Sequence, residues 1–428
     1  VTPRRAWYVL AAALAAVLSF VTFLVLYEDS GSGEPSAAPV SLPLVPWEGG
    51  PRYYARFPAM AAAGWTDPSF FPIGVWYEAV TSQADVDLDK GAGLNTYFEL
   101  TTSSKIELVR DNGMFAVPSH QPPGYGRETV GWLLTDEVDL WAHEGDAPWT
   151  GNSPGQGQIC IPESALCGYT VLRTLRERLP PDDGRARYAN FGFGMEFFIP
   201  EPLAARFLDY TDVASMDTYW YTDEGMCELS KTPAAVCRTA ASYGFTVDRI
   251  RHLDGLDGKR QPIYAFVEVG FPFEKFDTEI APAELAGAVM NSLIHEARGV
   301  IYFNHNFGSP CVSQHVLRDA CGARIRPAVT EVNRRITELA PVLNTQSISH
   351  TFLPGMDTML KAHGDAYYVF AMPGRGLAPG RHTLTLPPGM AAERAEVLWE
   401  NRALPAGDGR ITDDFPAEHS YRVYRIPR

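Results

Sequence analysis

A chain of 428 residues, 46% hydrophobic and 12% aromatic, can bury a large core and is no disordered protein. Its formal net charge of −15 argues against a nucleic-acid backbone as partner. Nineteen Tyr and nine Trp exceed what a core needs. Rings exposed in a cleft would suit flat apolar surfaces, sugar rings among them.

The chain begins with Arg4 and Arg5, an apolar run from Ala6 to Tyr27, then Glu28 and Asp29. The run is long enough to span a hydrocarbon core. Basic residues before it and acidic residues after it predict a cytoplasmic N-terminus and an external body. Residues 1–28 are therefore expected to be a transmembrane helix, making a single-pass cell-membrane protein with an extracellular catalytic domain. Cleavage near Ser36-Ala37-Ala38 would instead make residues 1–28 a signal segment and the protein secreted. Residues 29–49, rich in Gly, Ser and Pro, read as a flexible linker.

Eight short apolar runs follow in chain order: "FFPIGVW" (70–76), "LNTYFELT" (94–101), "MFAVPSHQ" (114–121) and "GWLLTDEV" (131–138), then "ARYANFGFG" (186–194), "VASMDTYWY" (213–221), "PIYAFVEVG" (262–270) and "GVIYFNHNF" (299–307). Helical patterns separate most of them, and the "GAGLN" and "DNGMF" junctions carry the glycine expected at a helix end. This rhythm predicts an α/β fold, a (β/α)8 TIM barrel over residues 50–344. No Gly-rich phosphate turn follows an early strand, which disfavours a doubly wound sheet. After Leu343 the texture changes to short alternating runs between Gly and Pro turns, so residues 345–428 are expected to form a small antiparallel β-sandwich. Six cysteines fall as close pairs, Cys160 with Cys167, Cys227 with Cys237 and Cys311 with Cys321, and are expected to be disulfides; buried thiols are the alternative.

Side chains at the C-terminal strand ends of a barrel converge on one mouth. Those ends carry Trp76, Tyr77, Glu99, His120, Asp136, Glu137, Glu196, Asp217, Tyr219, Trp220, Glu268 and His305. Glu137 behind Trp132-Leu133-Leu134, and Glu268 within "YAFVEVG", are acids closing apolar strands. Two carboxylates at one mouth suit glycoside hydrolysis, one protonating the leaving oxygen while the other attacks the anomeric carbon or activates water.

The order "LLTDEVD" on strand four and "YAFVEVG" on strand seven, with "FFPIGVW", "MDTYWY" and a C-terminal β-domain, resembles the retaining glycosidases with (β/α)8 barrels called clan A. The resemblance implies that Glu137 is the general acid/base, Glu268 the nucleophile and Tyr219 a hydrogen-bond donor to that nucleophile. The clan usually has Asn before the acid/base to hold the sugar 2-hydroxyl. Here Asp136 stands there, able to accept that bond but not donate it when ionised. The Trp that many members carry at the end of strand eight is replaced by "FNHNF".

Asp217 is the rival nucleophile. Glu99 and Glu196 read as substrate-binding or Arg-paired, and His120 and His305 as hydrogen-bonding groups. Trp76, Tyr77, Trp141, Trp149 and Trp220 read as sugar platforms or packing. The long loop "AHEGDAPWTGNSPGQGQICIPES" after strand four should shape the cleft. No zinc spacing, metal triad or cofactor motif is found, so neither metal nor cofactor is expected. The expectation is a retaining hydrolase of an oligo- or polysaccharide at the cell envelope, with a catalytically silent carbohydrate-binding barrel as the alternative.

Overall fold

The computed structural model describes residues 41–275, 278–308, 311–390 and 392–428. The apolar run expected to be an anchor lies outside these residues. Among the described residues no helix is long and apolar enough to cross a membrane.

Eight parallel strands form one sheet: β1 (Ile73–Glu78), β2 (Thr96–Leu100), β3 (Phe115–Val117), β4 (Gly131–Asp136), β5 (Ala186–Phe191), β6 (Val213–Met216), β7 (Ile263–Glu268) and β8 (Val300–Phe303). Their order is β3-β2-β1-β8-β7-β6-β5-β4, which leaves β3 and β4 to meet across a seam. Pro118 ends β3 there, and the seam is irregular. Ala116 N donates to the Glu128 carbonyl at 2.8 Å, Val130 N to that of Ala116 at 3.0 Å, and Leu133 N to that of Pro118 at 3.0 Å. The strands alternate between the two sides of the barrel wall, Tyr264 and Phe266 packing inside it and Ile263, Ala265 and Val267 outside. Both faces are buried, which is why these strands read as near-continuous apolar runs.

Seven helices run back outside the strands: α1 (Gln83–Gly91), α2 (Ile106–Asp111), α3 (Gly168–Arg178), α4 (Glu201–Leu208), α5 (Ala241–Asp254), α6 (Pro282–Ile294) and α7 (Arg326–Leu343). Gly93, after α1, sits at φ +81°, and a β-carbon there would meet Asn333 of α7 at 2.8 Å. One unit departs from the expected pattern, because residues 118–130 join β3 to β4 with no helix. The floor is closed by Tyr53, Tyr54, Met60 and Trp65, which pack against Phe98, Tyr188 and Tyr264 inside the barrel. Tyr54 and Tyr264 share a hydrogen bond between their hydroxyls at 2.8 Å. The C-terminal mouth is left for chemistry.

Beyond α7 come β9 (Ser347–Ile348), β10 (Met356–His363), β11 (Ala366–Pro373), β12 (Gly380–Thr385), β13 (Arg394–Val397), β14 (Arg402–Pro405), β15 (Arg410–Phe415) and β16 (Arg422–Pro427). The expected sandwich is unequal. Six strands form one antiparallel sheet, and only β12 and β15 form the other layer. Val369, Ala371 and Tyr424 face that ribbon, whereas Phe370, Met372 and Val423 join the barrel core. The larger sheet is thus fused to the barrel along one face.

Residues 43–48, expected to belong to a flexible linker, are pinned. Val45 N donates to the Ser347 carbonyl at 3.0 Å, Ser349 N to that of Pro43 at 2.7 Å, and Arg251 to that of Pro46 at 2.9 Å. Glu48 pairs with Arg298 at 2.7 Å, and Arg298 with Glu296 at 3.0 Å. Lys361 of β10, fully buried, donates to the Thr345 carbonyl and the Ser347 hydroxyl and lies 3.7 Å from Glu296. The prolines of such a segment mark it as loop-like but do not show what it rests on.

All three expected disulfides are present, and each staples a loop at the barrel mouth, after β4, β6 and β8.

Arg298→Ala would strand two buried carboxylates, so it is expected to lower unfolding stability by about 3–5 kcal/mol. Arg425→Ala, which breaks an exposed pair with Asp365, should change it by no more than about 1 kcal/mol. Urea melts of both variants check this, and equal losses would contradict it.

Candidate active site

At the mouth, three strand ends adopt backbone angles that non-glycine residues seldom take. Tyr77 after Trp76 on β1, Glu99 on β2 and Glu137 after β4 have φ of 51°, 66° and 47°. All three line one cavity of about 580 Å³, together with Trp76, Asp136 and Trp141. Strain held at three walls of one cavity points to function, since it persists only where the surroundings enforce it.

Behind that wall runs a chain of buried hydrogen bonds. The Tyr188 and Ser215 hydroxyls are 2.5 Å apart, and Ser215 donates to Asn190 Oδ1 at 2.6 Å. With its oxygen so engaged, Asn190 turns its amide nitrogen to two carboxyls, Asp136 Oδ1 at 2.9 Å and Asp217 Oδ1 at 3.0 Å. Tyr219, packed among Phe266, Phe273 and Phe303, donates to Asp217 as well. Tyr219, expected to donate to Glu268, is bonded to Asp217, and the donors on Glu268 are Tyr243 and Thr222. Asn190 was missed by sequence reading, although an amide inside the apolar "ARYANF" is a signal of the same kind as an acid there.

The electrostatics separate these groups. Burial, then the charge of Asp217, raises the pKa of both Asp136 and Glu137. Glu137 is pushed up furthest, because Asp136 and Asp139 add to the repulsion and a bond from the Trp141 indole offsets it only in part. Asp217 rises through burial but only to about 6, since Tyr219 and Asn190 stabilise its anion. At neutral pH Glu137 holds its proton and Asp217 does not. Asp139 is buried on the backbone N–H groups of Gly192 and Met195, both at 2.9 Å, and so fixes the β5 end beneath Glu137. A β-carbon on Gly192 would lie 2.6 Å from Leu140 and 3.1 Å from Glu137 Oε1, so that site admits only glycine without displacement.

The remaining expected residues divide. Glu99 accepts from the N–H groups of Leu100 (2.8 Å) and Ser119 (3.3 Å), with His120 at 3.8 Å. His305 Nε2 donates to the Tyr77 carbonyl at 3.2 Å, its ring 6.0 Å from that of Tyr77, and burial pushes its pKa down to about 4, so it is neutral. Glu196 is buried on Thr218 and Thr246, and Trp220 is fully buried with its indole on Thr246 at 2.9 Å; neither lines the cavity. Glu268 is also kept from the cavity. It has no exposed surface, and Oε1 accepts from Tyr243 at 2.7 Å and Thr222 at 3.0 Å. Glu137 lines the cavity and Glu268 does not, and the charges that act on Glu137 are those of Asp217, Asp136 and Asp139. Among the described residues no group of three or more His, Cys, Asp and Glu is arranged to hold a metal ion.

No protein-family model and no curated protein matches the sequence. Solved structures do. One is Gan42B, a GH42 β-galactosidase from G. stearothermophilus, with 11% identity, TM-score 0.51, and coverage of 84% of this chain and 98% of that one. Another is the maltogenic α-amylase AmyB from Thermotoga neapolitana, with 9% identity, TM-score 0.49, and coverage of 85% and 99%. A GH30 endoxylanase from Clostridium papyrosolvens C71 has 11% identity, TM-score 0.42, and coverage of 84% and 97%. The likeness to the β-galactosidase shows a shared fold, the barrel architecture on which that glycoside hydrolase is built.

A carboxyl whose pKa is raised on folding stabilises the protein below its unfolded pKa, and that contribution is lost as pH rises through the folded value. Glu137→Gln removes the penalty, so it is expected to raise the melting temperature at pH 8 by roughly 2–4 °C or more and to give no gain at pH 4. A gain independent of pH, or a loss at pH 8, would contradict the repulsion described.

Proposed function

We propose that this chain is a retaining glycoside hydrolase in which Glu137 is the general acid/base and Asp217 the nucleophile. The observation that carries the reading is the carboxyl cluster at one barrel mouth, where Asn190 bonds both Asp136 and Asp217 while Glu137 follows Asp136 on the cavity wall and is repelled by the Asp217 charge. Environments that drive two carboxyls apart in pKa are the means by which one site runs acid and nucleophile chemistry at one pH. Asp217 takes the nucleophile role in place of Glu268 because it keeps some exposed surface, 8% against none, and is the largest charge acting on Glu137.

In the first step the Asp217 carboxylate attacks the anomeric carbon. The bond to the leaving oxygen breaks, and that oxygen takes the Glu137 proton. In the second, water attacks the glycosyl–Asp217 ester, gives its proton to Glu137 and releases the sugar. Asp136, on the cavity wall, would hold the sugar 2-substituent, with Tyr77, Trp76 and Glu99 at the facing side. Three disulfides suit an oxidising compartment, which supports placing the domain outside the cytoplasm.

A panel of alkyl and 4-nitrophenyl glycosides tests this. Glu137→Gln is expected to lose about 10²–10⁴-fold in kcat/KM on alkyl glycosides, and less on 4-nitrophenyl glycosides, whose leaving group needs no proton. Asp217→Asn should lose roughly 10³-fold or more on both. Glu268→Gln, whose carbonyl can still accept from Tyr243 and Thr222, should stay within about tenfold. The reverse order for Asp217 and Glu268 would overturn the nucleophile assignment, and initial product of inverted anomeric form would overturn retention.

The pH dependence follows from the same groups. Asp217 must be ionised and Glu137 protonated, so kcat/KM should rise with pH through about 6 and fall only on the alkaline side. A fall beginning between pH 4 and 5 would contradict Glu137 as acid.

A further inference from the structure

The cavity that holds Glu137 does not stay on the barrel axis. Leu133 on its wall belongs to the barrel interior, but Leu134, Val171 and Leu175 belong to the core outside the barrel. The cleft therefore passes over the rim of β4 and enters the space between β4 and α3. A second cavity of about 350 Å³ shares Ser119, Leu133, Leu134 and Leu175 with the first and continues to Leu179 and Trp132. This arm exists because no helix follows β3. The outer ring of a (β/α)8 barrel normally covers each strand pair, and the gap after β3 leaves the outer face of β4 flanked by α3 on one side only.

The arm differs from the mouth in chemistry. Around Glu137 the wall offers carboxyls and a Tyr; the inner wall of the arm is Leu134, Val171, Leu175 and Leu179, with Trp149 and Ile159 from the stapled loop, while its polar residues Ser119, Gln121 and Arg178 are exposed and His120 is half-buried. A sugar buried against that inner wall would leave hydroxyls without partners, whereas a hydrocarbon chain loses only contact with water. Direction is set by the acid. It protonates the oxygen that departs, so the leaving group must lie on the Glu137 side, and the arm opens from that side. Trp141, 54% exposed, stands at the entrance.

We propose that the arm seats the leaving group and that this group is a hydrocarbon chain, as in an alkyl or lipid glycoside, and not a second sugar. The inference rests on Glu137 being the acid and adds the substrate class.

The test titrates methyl and octyl β-glucosides and β-galactosides, with cellobiose and lactose, into the full chain. Binding is read by tryptophan fluorescence and calorimetry, and hydrolysis is followed in parallel. Octyl glycosides should bind at least about tenfold more tightly than methyl ones, given the transfer free energy of each buried methylene. Leu175→Gln should shrink that ratio toward one. The wild-type ratio stands as evidence even if the variant fails to fold. Equal binding of octyl and methyl glycosides, or tighter binding of the disaccharides, overturns the proposal. Tight octyl binding with hydrolysis untouched by Glu137→Gln overturns the acid assignment and the leaving-group role, and leaves the arm as a binding site only.

Discussion

One amide nitrogen, that of Asn190, holds two carboxyls that would otherwise repel each other at a buried strand end. Asp136 and Asp217 both reach it, and its oxygen is occupied by Ser215, itself bonded to Tyr188. Two like charges cannot both be kept in such a place without a large penalty, and one donor cannot neutralise both. The protein resolves this by letting Asp217 keep the charge, with Tyr219 as its second side-chain donor, and by leaving the protons on Asp136 and Glu137. The reactivity ascribed to Glu137 is thus a consequence of its burial and of where Asp217 stands.

Such a cluster raises the free energy of the folded state and survives only on a rigid support. The barrel supplies it through a floor of packed aromatic residues and through strand ends held at unfavourable backbone angles. Asp139, bonded to two backbone N–H groups, fixes the end of β5 against Glu137. On the far side, the six-stranded sheet shares its core with the barrel helices, and the Glu48–Arg298–Glu296 pairs lock residues 43–48 against both. The disulfides act where support is thinnest, in the loops of the mouth.

Much of this was legible in the sequence. The barrel strands follow from apolar runs at a regular spacing, and their ends name Asp136, Glu137, Asp217 and Tyr219 because parallel strands must deliver their last residues to one side. What was not legible depends on side-chain direction and on contacts far apart in the chain. Glu268 stands at an interior position of β7, yet Tyr243 of α5 and Thr222 of the loop after β6 take its carboxyl, a pairing no local pattern reveals. Trp220 follows Tyr219 directly, and opposite sides of one segment go to mouth and core. The missing helix after β3 is a matter of thirteen residues rich in Gly and Pro, which composition marks as a loop without showing that a groove results.

The central claim is that burial and the charge of Asp217 together keep Glu137 protonated. A direct measurement is the titration of the Glu137 side-chain carboxyl by carbon NMR, in the wild type and in Asp217→Asn. The expected result is a midpoint well above neutrality in the wild type that falls by a unit or more when the neighbouring charge is removed. A midpoint near the ordinary glutamate value in both proteins would contradict it.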